Sequence, residues 1–230
     1  MENMEKEIVL VLVLGGLATL DLTEAFQGMW SQPLVSGPLI GWILGSWQDG
    51  LLIGILLQLL WLWYIPLGAA VFPDAGVGGV VGAVLFLHLQ SAMLFDFHKV
   101  TLLILLFSLM VSYFSGWLTL KNRFWNARLV QRVEDSLNRG KDRLKFYFFT
   151  ALLISFVRGA LASVAGFLLS LLLIRFFAGR LAFIPDNFFD FLLPAVFGFG
   201  LACLVIFFGK LKSWYYLLAG AGLGIAIILI

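Results

Sequence analysis

Polar side chains gather in one otherwise apolar stretch of the chain, between Asp21 and Asp74. The amides Gln27, Gln32 and Gln58 share this stretch with the carboxylates and with five of the eight tryptophans. Amides and carboxylates can each bond several hydroxyl groups, and an indole ring offers a flat apolar face. Small-molecule sites combine these two kinds of surface. The stretch therefore predicts a site for a hydroxyl-rich ligand such as a sugar.

The predicted ligand site has hydrogen-bonding and stacking members: Gln27, Gln32, Gln58 and Asp74, with Trp30 or Trp63 against the ring. Asp74 lies between Pro73 and a glycine-rich run, which predicts that it lies where a helix breaks. Two structural alternatives stay open. Gln58 could bond a neighbouring helix, and tryptophans collect at membrane interfaces whatever the protein does.

Other ionisable residues carry weaker predictions. Asp49, in the run Gln48-Asp49-Gly50, is predicted to be a solvated turn residue, whereas Asp21 and Glu24 could belong to the site or to the membrane boundary. His88 and His98 are predicted to lie in a loop rather than to bind a metal.

Enzyme motifs are missing from the sequence. There is no His-Glu-x-x-His, Walker loop or Gly-x-Ser-x-Gly, and the Gly-x-Gly-Asp element of intramembrane aspartyl proteases is absent. Cys203 is the single cysteine, so neither an internal disulfide nor a cysteine metal cluster can form. We expect no catalytic residue, metal or cofactor in this chain.

The composition indicates a membrane protein. Of 230 residues 62% are hydrophobic and 12% charged, and the mean hydropathy is +1.03. A soluble domain carries about 25% charged residues. The acidic residues before Ile8 predict that the first apolar run is retained rather than cleaved. The apolar segments lie at about 8–20, 34–47, 51–65, 76–95, 100–120, 146–173, 191–208 and 214–230.

Several of these segments are too short to cross a bilayer and are bounded by Gly or Pro, which predicts broken or re-entrant helices. Gly37, Gly41 and Gly45 recur every four residues, as do Gly50 and Gly54, a spacing that predicts close helix packing. The predicted fold is an all-α, polytopic helical bundle in the membrane, formed by one domain over residues 1–230.

Residues 121–145 divide this domain into a polar-site half (8–120) and a C-terminal half (146–230). They hold eight Lys or Arg against three acids, and Trp125, Leu129, Val133 and Leu137 recur every four residues. This pattern predicts a basic amphipathic helix in the membrane interface, on the cytoplasmic side by the positive-inside rule. One short stripe beside membrane helices does not favour nucleic-acid binding.

Residues 27–39 have the sequence QGMWSQPLVSGPL. This run resembles the opening motif of the IIC component in mannose/sorbose-family phosphotransferase systems. The glycines at 41, 45, 50 and 54 continue the resemblance, and Pro66–Asp74 is similar to the loop that follows. The resemblance is strong over about residues 20–85 and rests on topology and length beyond that.

The resemblance implies a multi-pass protein of the bacterial inner membrane that conducts a sugar. It implies a IID membrane subunit and soluble IIA and IIB phosphocarriers as partners, with the phosphoryl chemistry on the partners, and an oligomeric assembly. Relatives often have Arg at Gln32, Asp at Ser46, Glu at Gln58 and Gly at Trp63. Neutral amides still bond sugar hydroxyls. The alternative that these changes favour is a non-transporting membrane sensor or assembly subunit.

Overall fold

The computed structural model describes residues 2–25, 27–63, 73–91, 97–178 and 190–208, with 180, 185 and 187. These residues form helices and contain no strand, which confirms the all-α prediction. The helices are α1 (Glu2–Thr23), α2 (Pro33–Leu44), α3 (Trp47–Trp61), α4 (Ala75–Ser91), α5 (Phe97–Asn138), α6 (Leu144–Ala178) and α7 (Leu192–Phe208). The predicted segment 214–230 and the loop at 66–72 lie outside the described residues.

Helices α2 and α3 form a short antiparallel hairpin. With 12 and 15 residues they are about 18 and 22 Å long, less than the ~30 Å of a bilayer core. Gly45 ends α2 at a φ of 94°, a left-handed conformation that favours glycine. The prediction of broken or re-entrant helices is confirmed by this hairpin, although the turn lies at Gly45–Ser46 rather than at Gln48–Gly50.

Glycines join the two arms of the hairpin. A β-carbon at Gly37 would lie 2.5 Å from the carbonyl oxygen of Gly50, and one at Gly54 would lie 2.6 Å from that of Pro33. Such positions accept only hydrogen as a side chain, so the backbones of the two arms touch. The close packing predicted from the glycine spacing is confirmed for Gly37, Gly41, Gly50 and Gly54, whereas nothing lies within 4 Å of the β-carbon position of Gly45.

Helix α4 lies at the centre of the bundle and contacts α1, α2, α3, α5 and α6. Its residues Val77, Val80, Val81 and Val84 are fully buried. Gly78 and Gly82 let α5 approach, because a β-carbon at Gly78 would meet the carbonyl oxygen of Ser108 at 2.7 Å. The start of α4 is thereby held between the hairpin and the two long helices.

Helix α5 runs without a break from Phe97 to Asn138, so the boundary predicted at residue 121 is wrong. The sequence changes from apolar to basic at this point but has no proline there, so the backbone hydrogen bonds of the helix continue. Residues 121–138 are the last turns of this 42-residue helix, about 63 Å long. Their location in the membrane interface stays a prediction.

Within the described part of the chain, two helices are long and apolar enough to cross a membrane by length and composition, Lys99–Asn138 and Leu144–Phe177. Shorter apolar helices accompany them at Pro33–Leu44, Trp47–Trp61, Ala75–Gln90 and Leu192–Ile206. Helix α6 exposes large apolar side chains such as Leu153, Leu161 and Leu172, each more than 60% exposed. A surface of this kind is suited to lipid or to another membrane chain.

Candidate functional site

The loop between α1 and α2 is held by one buried carboxylate. Asp21, 4% exposed, accepts hydrogen bonds from Gly28 N through Oδ1 (2.5 Å) and from Ser31 N and Ser31 Oγ through Oδ2 (2.9 Å each). Gln27 and Met29 adopt positive φ angles of 47° and 66° within the same loop. Such conformations persist in non-glycine residues when surrounding contacts fix them. Asp21 therefore shapes the loop that carries Gln27, Trp30 and Gln32.

Gln32 and Gln58 meet across the base of the hairpin. Gln58 Nε2 donates a hydrogen bond to Gln32 Oε1 (3.0 Å), while Gln58 Oε1 accepts one from Leu34 N (3.4 Å). Among the described residues Gln32 Nε2 has no partner, so its two protons can reach a ligand. Gln58 bonds a neighbouring helix, as one alternative predicted, and a second site residue at the same time.

Gln27, Trp30 and Trp63 border this amide pair in sequence but are exposed. Trp30 and Trp63 are 49% and 47% exposed, and Gln27 lies at the surface of the loop. Trp30 lies beside Gly28, where a β-carbon would meet the indole Nε1 at 2.8 Å. The structure thus brings Gln32 and Gln58 into contact and puts Gln27 and Trp30 on the adjoining loop.

Asp74 lies immediately before α4, where the sequence predicted a helix break, and its carboxylate is fully enclosed. Oδ1 accepts a hydrogen bond from Val77 N (3.1 Å), and Oδ2 accepts one from Ser115 Oγ (2.7 Å). Arg158 Nη1 lies 4.0 Å from the same Oδ2 and donates to the carbonyl oxygen of Ser115 at 3.1 Å. Both carboxylate oxygens of Asp74 are engaged inside the protein.

A second buried polar group continues from Arg158 toward the end of α1. Asn122 Nδ2 donates to Ser155 Oγ (2.7 Å), and Ser155 Oγ donates to Glu24 Oε1 (2.7 Å). Arg158 itself was absent from the sequence predictions. It is the single Lys, Arg, Asp or Glu between residues 146 and 174. An ionisable residue in such a run usually faces the bundle interior, and that signal could have identified it.

The other end of the hairpin carries a separate polar group. His88 lies in α4, not in a loop, and its Nδ1 is 2.8 Å from Glu7 Oε2 on α1. His98 belongs to α5. Asp49 lies in the first turn of α3, where it accepts a hydrogen bond from Ser46 Oγ, so the prediction of a solvated turn is wrong. The short Gly45–Ser46 connection leaves Asp49 inside the helix.

A cavity of about 230 Å³ opens beside Glu7 and Asp49, at the same end of the hairpin. Lys6, Glu7, Ser46, Asp49 and Gln90 supply its polar lining. It lies at the tip of the hairpin, whereas the amide pair lies at the base. The two polar regions of the hairpin are therefore distinct.

A family model described as the PTS system sorbose-specific IIC component matches residues 6–223. The chain belongs to this family. The residues matched include the loop, the hairpin and both long helices of this IIC chain, so the sequence resemblance at residues 20–85 is confirmed and extended.

Curated relatives match a shorter part. A protein of Escherichia coli strain K12, provisionally named N-acetylgalactosamine permease IIC component 2, is 35% identical over 81 residues, which is 34% of this chain and 61% of the relative. The mannose-specific EIIC component of the same strain is 33% identical over 86 residues, 37% of this chain and 32% of the relative. The matched region thus spans about three fifths and one third of these relatives.

Solved structures share the fold over nearly the whole IIC chain. One, described as a membrane protein, has a TM-score of 0.68 at 20% identity, and the match covers 97% of this chain and 95% of the solved chain. A chain from the mannose transporter ManYZ in complex with microcin E492 has a TM-score of 0.58 at 20% identity, covering 98% and 96%. The chain is an all-helical membrane protein with the fold of these structures.

Proposed function

We propose that this chain is the sugar-conducting subunit of a phosphoenolpyruvate-dependent phosphotransferase system of the mannose/sorbose family. The observation that carries the proposal is the Gln32–Gln58 contact at the base of a IIC-type hairpin, where Gln32 Nε2 has no hydrogen-bond partner among the residues that the structure describes. Family membership supports the transport role, and the amide pair supports a hydroxyl-bearing substrate.

In this proposal Gln32 and Gln58 bond sugar hydroxyls, Gln27 adds a third amide, and Trp30 or Trp63 stacks on the ring. Trp30 and Trp63 are 49% and 47% exposed, so part of each indole surface is accessible, which supports stacking. Asp74 belongs to the site as the residue that fixes the start of α4. Direct contact between Asp74 and the sugar would require the bond from Ser115 to open first.

The protein is proposed to lie in the bacterial inner membrane with several crossings. The positive-inside rule favours a cytoplasmic location for the basic end of α5. Glu7 meets His88 near the end of α4, just before α5 begins, which supports an outer location for the amino end. The cavity at the hairpin tip would then open outward, and the amide pair would lie nearer the cytoplasm.

The proposed partners are a IID membrane subunit and soluble IIA and IIB phosphocarriers, in an oligomeric assembly. The exposed apolar surface of α6 supports a membrane partner or lipid. The phosphoryl chemistry is assigned to the carriers, since the chain offers hydrogen-bonding groups rather than a nucleophile and base at its site.

Co-expression tests the proposal. The chain would be produced with candidate IID, IIA and IIB proteins in cells without their own mannose-family system, and uptake of labelled hexoses and amino sugars measured. Accumulation of a sugar phosphate that depends on this chain is the expected result. No accumulation, with this chain and IID in the membrane, IIA and IIB present and a control system active, would overturn it.

The second candidate is a non-transporting sensor or assembly subunit. It is favoured by the neutral amides Gln32 and Gln58, which bond each other where relatives often have charges. Under this proposal the chain would bind its partners without sugar phosphate appearing. The sugar-phosphate measurement separates the two candidates, and pull-down of the co-expressed partners in the same cells shows whether the complex has formed.

A further inference from the structure

A basic cavity lies where α5 turns into α6, far from the amide pair in the chain. Its volume is about 210 Å³. Four cations line it, Arg132, Arg139, Lys141 and Arg143, against one carboxylate, Asp135. Four positive charges and one negative charge leave a formal charge of +3. Ser136 and Tyr147 add hydroxyl groups to the lining, so the cavity offers both charge and hydrogen bonds to an anion.

The turn that carries these cations has a defined backbone. Lys141 N bonds Ser136 O and Gly140 N bonds Leu137 O, both at 2.9 Å, and Gly140 has a φ of 71°. This pair of bonds with a left-handed glycine is the Schellman arrangement that ends a helix. Asp142 Oδ1 then accepts a hydrogen bond from Leu144 N (3.1 Å) at the start of α6. Arg139, Lys141 and Arg143 are therefore presented by a preformed turn.

Exposed aromatic side chains flank Tyr147, a residue of the cavity lining, on α6. Phe146, Phe148 and Phe149 are 66%, 55% and 65% exposed, and the rings of Phe146 and Tyr147 are in edge contact. Asn122 of α5 donates a hydrogen bond to Ser155 of α6, so the two helices lie side by side at this level. Phe149 lies six residues before Ser155, about 9 Å along α6. Exposed aromatic rings beside cations are typical of the headgroup level of a bilayer. In water these three rings would be an exposed apolar patch.

The geometry points to a binding site for the phosphodiester headgroup of an anionic phospholipid in this cavity. The cations neutralise the phosphate, the hydroxyls of Ser136 and Tyr147 bond its oxygens, and the phenylalanines contact the acyl chains. Basic pockets next to membrane helices on the cytoplasmic side bind such headgroups. The exposed phenylalanines favour a lipid over a soluble phosphoprotein, which would leave them uncovered. The site does not depend on the proposed sugar transport.

Lipid titration of the full chain in detergent, followed by native mass spectrometry, tests the site. The probes are phosphatidylglycerol, cardiolipin and, as the zwitterionic reference, phosphatidylethanolamine. The cavity variant Arg139→Ala/Lys141→Ala is compared with Arg128→Ala/Lys145→Ala, which removes the same residue types from outside the cavity. Circular dichroism checks that both variants keep their helix content.

We expect the native chain to retain the anionic lipids in preference to the zwitterionic one. The cavity variant should bind them about 10- to 30-fold more weakly, and the control variant should stay within about threefold of the native chain. Equal losses in both variants would overturn the proposal, because net charge alone would explain them. Absence of a preference for anionic lipid would overturn it as well.

A soluble partner is tested in a separate arm. Binding of a phosphorylated IIB-type carrier is measured in detergent without anionic lipid, for the native chain and both variants. We expect the cavity variant to bind the carrier as the native chain does. Loss of carrier binding confined to the cavity variant, with lipid binding unchanged, would make the cavity a protein-docking site and overturn the lipid assignment.

Discussion

Arg158 on α6 and Asp74 at the start of α4 face each other inside the bundle, with Nη1 and Oδ2 4.0 Å apart and Ser115 between them. Arg158 Nη1 also donates to Ser115 O, and Ser115 Oγ donates to Asp74 Oδ2. Three helices are thus joined by one arginine, one serine and one carboxylate. Because the Asp74 carboxylate is fully buried, removal of Arg158 leaves it without its cation.

Replacement of Arg158 by leucine is expected to destabilise the protein by about 3–5 kcal/mol, because the Asp74 carboxylate would lose its cation in a buried environment. The measurement is thermal unfolding in detergent. Arg175→Leu, an exposed arginine of the same helix, is the control and should change stability by less than about 0.5 kcal/mol. The double variant Asp74→Asn/Arg158→Leu should lose less than the two single losses combined. Additive losses would contradict a direct interaction.

Substitution of Gly54 by alanine should separate the arms of the hairpin. The added methyl group would lie 2.6 Å from the carbonyl oxygen of Pro33, so the expected cost is about 1–3 kcal/mol. Gly198→Ala on α7 is the matched control, since nothing lies within 4 Å of its β-carbon position. That variant should be neutral or more stable by up to about 1 kcal/mol. Equal unfolding temperatures for the two variants would argue against the tight contact.

The amide pair can be tested by uptake once a transported sugar is known. Gln58→Leu and Gln32→Leu should each raise the KM for uptake about 3- to 10-fold, because each removes hydrogen bonds to the substrate. Gln48→Leu, in the same hairpin but exposed near its tip, is the control and should leave the KM unchanged. Asp74→Ala should lower the amount of folded protein. Unchanged uptake in Gln58→Leu and Asp74→Ala, with the protein still in the membrane, would show that the site assignment is wrong.

Asp21→Asn should loosen the loop that carries Gln27 and Trp30. An amide is a weaker acceptor than a carboxylate for the bonds from Gly28 and Ser31, and the expected loss is about 1–3 kcal/mol. Hydrogen–deuterium exchange of the loop peptide is the measurement, with faster exchange expected at residues 28 and 31. Glu134→Gln, an exposed site on α5, serves as the control. Unaltered exchange would contradict the role of Asp21.

Composition and spacing determined the class of protein and its local packing. With 12% charged residues the chain cannot cover a water-facing surface. The four-residue spacing of Gly37 and Gly41, and of Gly50 and Gly54, predicted a close contact between helices without knowledge of the rest of the fold. The helix break before Asp74 was also predictable, because proline and glycine act on their immediate neighbours. These features depend on residues close together in the chain.

Tertiary structure decided which polar groups become partners. Glu7 meets His88 from 81 residues away, and Ser155 reaches Glu24 from 131 residues away, distances over which a sequence pattern carries no geometric information. The same holds for Arg158, whose position in the apolar run marked it as buried but left its partner undefined. A buried polar group must find whichever partner the packing of the helices brings within reach, and that packing exists only in the folded chain.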